Sequence, residues 1–136
     1  MYTHILVPVA PDHQGRGEAA LSAAEALLDD DGRITIIHVN ETIPAYVASY
    51  VPADVMQKTH DEIRDAMNDL AKRSSAQIDV ATITGHPPRA ITEYADSHQV
   101  DCIVIASHHP GIADYFLGST ASWVVRHADC SVHVVR

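Results

Sequence analysis

Five short runs rich in β-branched residues recur along the chain: 3–9, 33–39, 78–84, 101–106 and 131–135. Four stretches between them have helical spacing, carried by Ala20, Ala23, Ala24, Leu27 and Leu28; Ile63, Ala66, Met67 and Leu70; Ala90, Ile91, Tyr94, Ala95 and His98; and Ser119, Trp123, Val124 and His127. Parallel strands need crossover connections, which are usually helical and cover both faces of the sheet. The alternation therefore predicts an α/β, Rossmann-like fold, a parallel sheet with helices on both faces.

The length and the charge of the chain limit its organisation and its partners. With 136 residues it is sized for a single domain, 1–136, because two halves would each bury too little core. A net charge of -9, with nine scattered Lys and Arg residues, argues against nucleic acid and anionic membranes as partners. We therefore expect backbone N–H groups and a helix N-terminus, rather than basic side chains, to hold any bound phosphate.

The apolar runs and the cysteines predict a cellular location. No run approaches the ~20 apolar residues of a membrane-spanning helix, and the opening MYTHILVPVAP has neither a basic region nor a long apolar one. We therefore expect a cytoplasmic protein. Cys102 and Cys130 lack CxxC spacing and lie in or beside apolar runs, so we interpret both as reduced core thiols.

Ligands of an open parallel sheet bind beyond the carboxyl ends of its strands. The segments expected there are 10–14, 39–43, 85–89 and 106–120. Residues 40–54 contain Pro44 and Pro52 and follow no single period, which predicts a flap or a partner-facing loop.

The strongest local signal is Gly118-Ser119-Thr120, at the start of the last predicted helix. Glycine allows close backbone approach, and the two hydroxyls lie among the unpaired N–H groups of the first turn. The tripeptide therefore predicts a phosphate site, although an ordinary Ser N-cap uses the same residues. Gly85, before His86 and two prolines, predicts a tight turn into a helix.

Two other kinds of site receive less support. The stretch Gly15–Ala20 matches a dinucleotide fingerprint, but 136 residues leave no room for a substrate domain. His13, His86, His108 and His109, with Asp12, offer metal ligands, but their spacing fits no specific zinc motif. We therefore predict no metal and no catalytic residue, and we interpret His108 and His109 as hydrogen-bond donors to phosphate or ribose.

Motifs along nearly the whole chain resemble those of the universal stress protein family. The most specific are A-S-H-H-P-G at 106–111, L-G-S-T-A at 117–121 and V-V-R-H-A-D-C-S-V-H-V-V at 124–135. The opening I-L-V-P-V at 5–9, I-H-V at 37–39 and G-H-P at 85–87 are also similar to family members. The segment from Ala106 resembles a subgroup with an A-S-H-x-P motif followed by Y-x-L-G-S.

The resemblance implies a fold and a ligand. The fold is a five-stranded parallel sheet in the order 3-2-1-4-5, of the adenine nucleotide alpha hydrolase-like type. Many members bind ATP, some bind AMP and others bind no nucleotide, so ATP is the expected ligand, with AMP or ADP as alternatives and Mg possible beside ATP. The implied nucleotide-binding residues are Pro8, Val9, Ala10, Asp12, Val39, Gly85, Ser107, His108, His109, Gly118, Ser119 and Thr120.

The chain departs from the ATP-binding pattern at two places. Ala106 and His109 stand where those members have glycines, and the gap to Gly118 is eight residues instead of nine. Ala10 replaces the acidic residue that is common after the first strand, and Asp12 is its possible substitute.

Three functions follow from the resemblance. The first is a stress-response regulator in which adenine-nucleotide binding changes the surface shown to a partner. The second is a dimeric interaction module without nucleotide, paired through residues 131–136 and able to form tetramers. The third is a slow ATPase in which His108 or His109 positions water.

Overall fold

The computed structural model describes residues 1–10, 16–107 and 117–136. The chain order is β1 (Tyr2–Pro8), α1 (Arg16–Leu27), β2 (Leu28–Asn40), α2 (Ala45–Ala48), α3 (Ala53–Lys72), β3 (Gln77–Thr84), α4 (Pro87–Ser97), β4 (Cys102–Ala106), α5 (Ser119–His127) and β5 (Ser131–Val135). All strand pairs are parallel, and the sheet order is β3-β2-β1-β4-β5. The predicted α/β class and the implied strand order 3-2-1-4-5 are confirmed.

The central strands are buried on both faces, as their continuous apolar runs predict. On one face Ile5, Val7 and Ile36 pack beneath α1 and α3. On the other face Leu6 and Ile103 pack beneath α4 and α5. Because successive residues of a strand point to opposite faces, each strand contributes to both cores.

The structure corrects the interpretation of residues 40–54 as a loop. This segment contains the short helix α2, and α3 begins inside it at Ala53. Pro44 and Pro52 precede these helices as N-cap residues with φ of -55° and -58°. Proline suits a helix start because that position needs no N–H donor, so these two prolines begin helices rather than exclude them.

The boundary between α1 and β2 also differs from the prediction. Leu28 has helical spacing in the sequence, yet it is the first residue of β2 and pairs with Tyr2. The register with β1 then shifts, so that His4 pairs with Arg33. The residues between these pairs form an irregularity that the apolar pattern does not signal.

A hydrogen-bond network closes the amino end of the sheet. The buried His4 ring contacts the His98 carbonyl oxygen through Nδ1 at 3.0 Å and the Thr35 hydroxyl through Nε2 at 2.8 Å. Since a carbonyl only accepts, Nδ1 carries the proton and Nε2 accepts from Thr35. The Asp101 carboxylate accepts from the backbone N–H groups of Thr3 and His4, at 2.9 and 3.0 Å, and from the Thr3 hydroxyl at 3.1 Å.

The pKa values of this network follow from its burial and its bonds. Burial disfavours the charged imidazolium and lowers the pKa of His4. Burial acts to raise the pKa of Asp101, but the hydrogen bonds from Thr3 and His4 together outweigh it and hold the pKa below its ordinary value. His4 is therefore neutral and Asp101 is charged near neutral pH.

Both cysteines are free thiols in the sheet region. Cys102 is buried and Cys130 is half-buried. Burial raises the pKa of the Cys102 thiol to about 11, which makes it a poor nucleophile at neutral pH. Within the described ranges, no helix has the length and apolar character needed to cross a membrane.

Candidate functional site

A cavity of about 520 Å³ opens at the carboxyl ends of β1 and β2. This volume falls in the range of small-molecule sites, and the position is where open parallel sheets bind ligands. Its floor is apolar and includes Val9, Val39 and Ile105, with Ile91 contributed by α4. One wall comes from α3 through Thr59, His60 and Ile63.

The end of β2 presents to this cavity a backbone edge that no described strand pairs. The Ile37 carbonyl accepts from the Val9 N–H at 2.8 Å, whereas the Asn40 carbonyl accepts from the Gly85 N–H at 2.9 Å. Odd-numbered residues of β2 thus turn their backbone groups toward β1, and even-numbered residues turn theirs toward β3. Since β1 ends at Pro8, the N–H and the C=O of Val39 point beyond the last residue of β1.

His38 fixes the chain that leaves β1. Its Nδ1 donates to the Val9 carbonyl oxygen at 3.0 Å, and its ring lines the cavity. Only the proton-bearing nitrogen can bond a carbonyl, so in the neutral ring Nε2 remains an acceptor. The contact holds the Val9 backbone beside the exposed edge of β2.

Three helices direct their N-termini toward the cavity. It is lined by Arg16 and Gly17 of α1, by Pro87 of α4 and by Thr120 of α5. Each of these helices has at least nine residues. Unpaired first-turn N–H groups and the helix dipole favour negative charge at such positions.

The start of α5 excludes one of the two interpretations of Gly118-Ser119-Thr120. The N-cap residue is Gly118, and no side-chain hydrogen bond caps the helix. Ser119 and Thr120 are therefore the first two helical residues, and the alternative of an ordinary Ser N-cap is wrong. The first-turn N–H groups of α5 receive nothing from the N-cap residue, which leaves them available to an anion.

Close backbone approach explains the glycine at 118. The Gly118 N–H donates to the Ser107 carbonyl oxygen at 2.9 Å. A Cβ on Gly118 would lie 3.1 Å from that oxygen, although the φ of -57° suits any residue. Ser107 is buried, and its own N–H donates to the Val135 carbonyl, so its backbone is a structural tie between β4, β5 and α5.

The structure brings five of the twelve predicted site residues to the cavity: Pro8, Val9, Ala10, Val39 and Thr120. Gly85, Ser107, Gly118 and Ser119 lie at the same end of the sheet but do not line it. Asp12, His108 and His109 lie outside the described residues. The assignment of all twelve as nucleotide ligands stays a prediction.

Sequence reasoning missed the wall formed by α3 and the cation Arg16. Thr59 and His60 lie between the predicted loop, which ends at 54, and the helical spacing that begins at Ile63, so they had no predicted place. A basic residue opening the helix after the first strand was the available signal for Arg16. Among the described residues, no group of three His, Cys, Asp or Glu side chains is arranged for a metal; His13, His108 and His109 lie outside that set.

Comparisons with known proteins identify the family. The model of the universal stress protein family matches residues 1–136. Universal stress protein G of Shigella flexneri is 32% identical over 142 residues, covering all of both chains. The structure of universal stress protein UspA from Lactobacillus plantarum is 28% identical, with a TM-score of 0.80, and the match covers 99% of this chain and 98% of that one.

Two more distant structures share the fold and were solved with ligands. One is a universal stress protein in complex with cAMP, 22% identical with a TM-score of 0.69, covering 99% of this chain and 97% of that one. The other, from Arabidopsis thaliana with AMP bound, is 17% identical with a TM-score of 0.64, covering 98% and 90%. With the family match over its whole length and with this sheet order, the chain belongs to the universal stress protein family.

Proposed function

We propose that this chain is a regulatory stress-response protein that binds an adenine nucleotide, ATP in particular, in the cavity beyond β1 and β2. The observation that carries the proposal is one continuous site: an apolar floor, the backbone edge of Val39 and three helix N-termini. A nucleotide needs these three features side by side. The apolar floor suits its flat base, the backbone edge suits the polar edge of the base, and the helix N-termini suit its phosphates.

The Val39 edge suits adenine better than guanine. Its N–H and C=O point in the same direction, so the N–H can donate to adenine N1 while the C=O accepts from the N6 amino group. Guanine presents an acceptor at O6 and a donor at N1, the reverse order, and would place like groups together. Leaving such buried edge groups unpaired is costly, so the edge discriminates between the bases.

The phosphates belong at the opposite side, near the start of α5. There the uncapped N–H groups of Ser119 and Thr120 and the Thr120 hydroxyl offer donors to an anion. Of the residues known to line the cavity, Glu41 is the one carboxylate, so a Mg²⁺ ion accompanying ATP would be held mainly by the phosphates and water. The relatives bound to cAMP and to AMP support the adenine-nucleotide class for this chain.

A substitution at Thr120 tests the proposal without removing a structural contact. Thr120→Glu places a carboxylate in the first turn of α5, where the helix dipole favours it and the fold is preserved. The same carboxylate repels phosphate. We expect calorimetric titration to show ATP affinity reduced by about tenfold or more, with adenosine affinity little changed.

The matched control is Ser75→Glu, which adds the same charge at an exposed residue beside the amino end of β3. It should leave both affinities unchanged. Failure of the wild-type protein to bind ATP at millimolar concentration would overturn the proposal. Equal ATP affinities in wild-type protein and Thr120→Glu would mean that the phosphates do not bind at the start of α5.

The second candidate function is a dimeric interaction module. The edge strand β5 supports it, since β5 pairs only with β4 in the described sheet and leaves Val132, Val134 and Val135 half-exposed. An open edge of this kind is a template for pairing with a second copy. We propose dimerisation through residues 131–136, with the chain acting in the cytoplasm as a single domain, 1–136.

Exposed apolar side chains beside the cavity also favour contact with a partner. Tyr46 and Tyr50 are 74% and 85% exposed, and Ile43, Val47 and Val55 are exposed as well. A nucleotide in the cavity would touch Ile43 at the edge of this group, which links ligand binding to the surface shown to a partner. Slow hydrolysis through His108 or His109 stays a prediction because both residues lie outside the described part.

A further inference from the structure

We propose that Arg16 is the phosphate-recognising cation of the cavity and makes it select phosphorylated nucleotides over the free nucleoside. This inference rests on the proposed function, but it names a residue and a selectivity that the function alone does not require. All nine Lys and Arg residues fall within the described ranges, and Arg16 is the one that lines the cavity.

Arg16 lies at a position in its helix that is unfavourable for a positive charge. It is the first residue of α1, where the partial positive charge of the helix N-terminus repels a cation. Glu18, the acidic residue of the same first turn, pairs with Arg73. No carboxylate among the described residues pairs with Arg16.

Arg16 is thus a half-buried cation at the positive end of a helix dipole, and none of the described carboxylates compensates its charge. Such conflicts are expected at functional sites, where the missing partner is the ligand. An anion between the Arg16 guanidinium and the N–H groups of α1 and α5 would remove this unfavourable electrostatic interaction. Phosphate fits this chemistry because a guanidinium donates two parallel hydrogen bonds to its oxygens.

The charges of the cavity also give the ligand a direction. Glu41 lies just past β2, two residues from the Val39 edge that we assign to the base. Arg16 lines the cavity from α1, and Thr120 lines it from α5. A nucleotide with its base at Val39 keeps its phosphates away from the Glu41 carboxylate and places them toward Arg16.

Calorimetric titration with ATP and with adenosine tests this inference. In Arg16→Gln we expect ATP affinity to fall by about tenfold to a hundredfold, as for the loss of a charge-assisted contact, with adenosine affinity unchanged. Arg16→Lys, which keeps the charge but not the fork of donors, should show a smaller loss. The ATP affinity of the wild-type protein should weaken more steeply with added salt than that of Arg16→Gln.

Lys72→Gln is the matched control, because it removes one positive charge from the far end of α3. It should leave both affinities unchanged. If wild-type protein binds ATP and Arg16→Gln binds it equally well, the inference is wrong and the proposed function stands. Equal losses for ATP and adenosine would show a merely structural Arg16, whereas a wild-type protein that binds neither would overturn both proposals.

Discussion

The two ends of the sheet differ in how their polar groups are satisfied. At the amino end, His4 uses both ring nitrogens and Asp101 accepts three hydrogen bonds. At the carboxyl end, the Val39 edge extends beyond β1, α5 begins without a side-chain cap, and Arg16 stands at a helix N-terminus. The polar groups of the amino end thus stabilise the fold, whereas several of those at the carboxyl end have no partner among the described residues.

Truncation of the buried histidine should give the largest effect on stability. His4→Ala opens a cavity and leaves the Thr35 hydroxyl and the His98 carbonyl without their partner. We expect the free energy of unfolding to fall by about 3 kcal/mol, measured by urea denaturation. Thr120→Ala is the corresponding truncation at the carboxyl end and should change it by less than about 0.5 kcal/mol. Similar losses in the two variants would contradict the difference between the two ends of the sheet.

Neutralising Asp101 should give the next largest effect. In Asp101→Asn an amide NH₂ replaces one of the two accepting oxygens and faces a backbone or hydroxyl donor. We expect a loss of about 2 kcal/mol in the free energy of unfolding. Asp69→Asn, at an exposed site on α3, serves as the control. Comparable losses in the free energy of unfolding for the two variants would contradict the structural role of Asp101.

The pH dependence of stability should follow His4 at the amino end. Since the pKa of His4 is lowered in the fold, the unfolded chain binds more protons below its ordinary value of about 6.5. The contribution of His4 is therefore present above that pH and is lost as the pH falls below it. This contribution changes the free energy of unfolding by at most about 1.4 kcal/mol per pH unit.

The ionisable groups that act on the His4 ring are Arg33, Asp101 and His98. Asp101 stays ionised in this pH range because its own pKa is lowered. His4→Gln keeps a donor and an acceptor but does not titrate, so denaturation at pH 7.0 and 5.5 should show a smaller loss in this variant. An identical loss in both proteins would assign the effect to other histidines.

The smallest expected effect on stability is a gain rather than a loss. Arg16→Gln removes a cation from the N-terminus of α1, so the free energy of unfolding should rise by up to about 0.5 kcal/mol in the absence of nucleotide. Thermal unfolding without ligand measures it. A clear loss of stability would mean that Arg16 has a structural partner at the carboxyl end.

The fold was readable from the sequence because its signals are local. Apolar runs such as 102–106 predict strands buried on both sides, and helical spacing between runs predicts parallel crossovers. The strand order came from the family resemblance. Leu28 was assigned to the wrong element because an apolar residue at the end of a helical pattern also suits the start of a strand.

The site was predicted only at the ends of elements with a clear sequence pattern. Val39 and Thr120 adjoin elements with clear patterns, and both line the cavity. Thr59 and His60 come from a helix whose approach to β2 is a tertiary contact, and no local pattern encodes it. Pro44 and Pro52 caused a separate error, the prediction of a loop at 40–54, because the sequence alone does not distinguish a proline that begins a helix from one that interrupts it.

A titration with ATP, followed through the backbone amide signals of the ¹⁵N-labelled protein, tests the proposed nucleotide site most directly. The largest shifts should fall on the amide signals of Val39, Ser119, Thr120 and Arg16, and those of Thr3 and His4 at the amino end should move little. A spectrum that does not change at millimolar ATP would contradict nucleotide binding in this cavity. Shifts concentrated away from the cavity, for example at Asp29–Asp31, would contradict it equally.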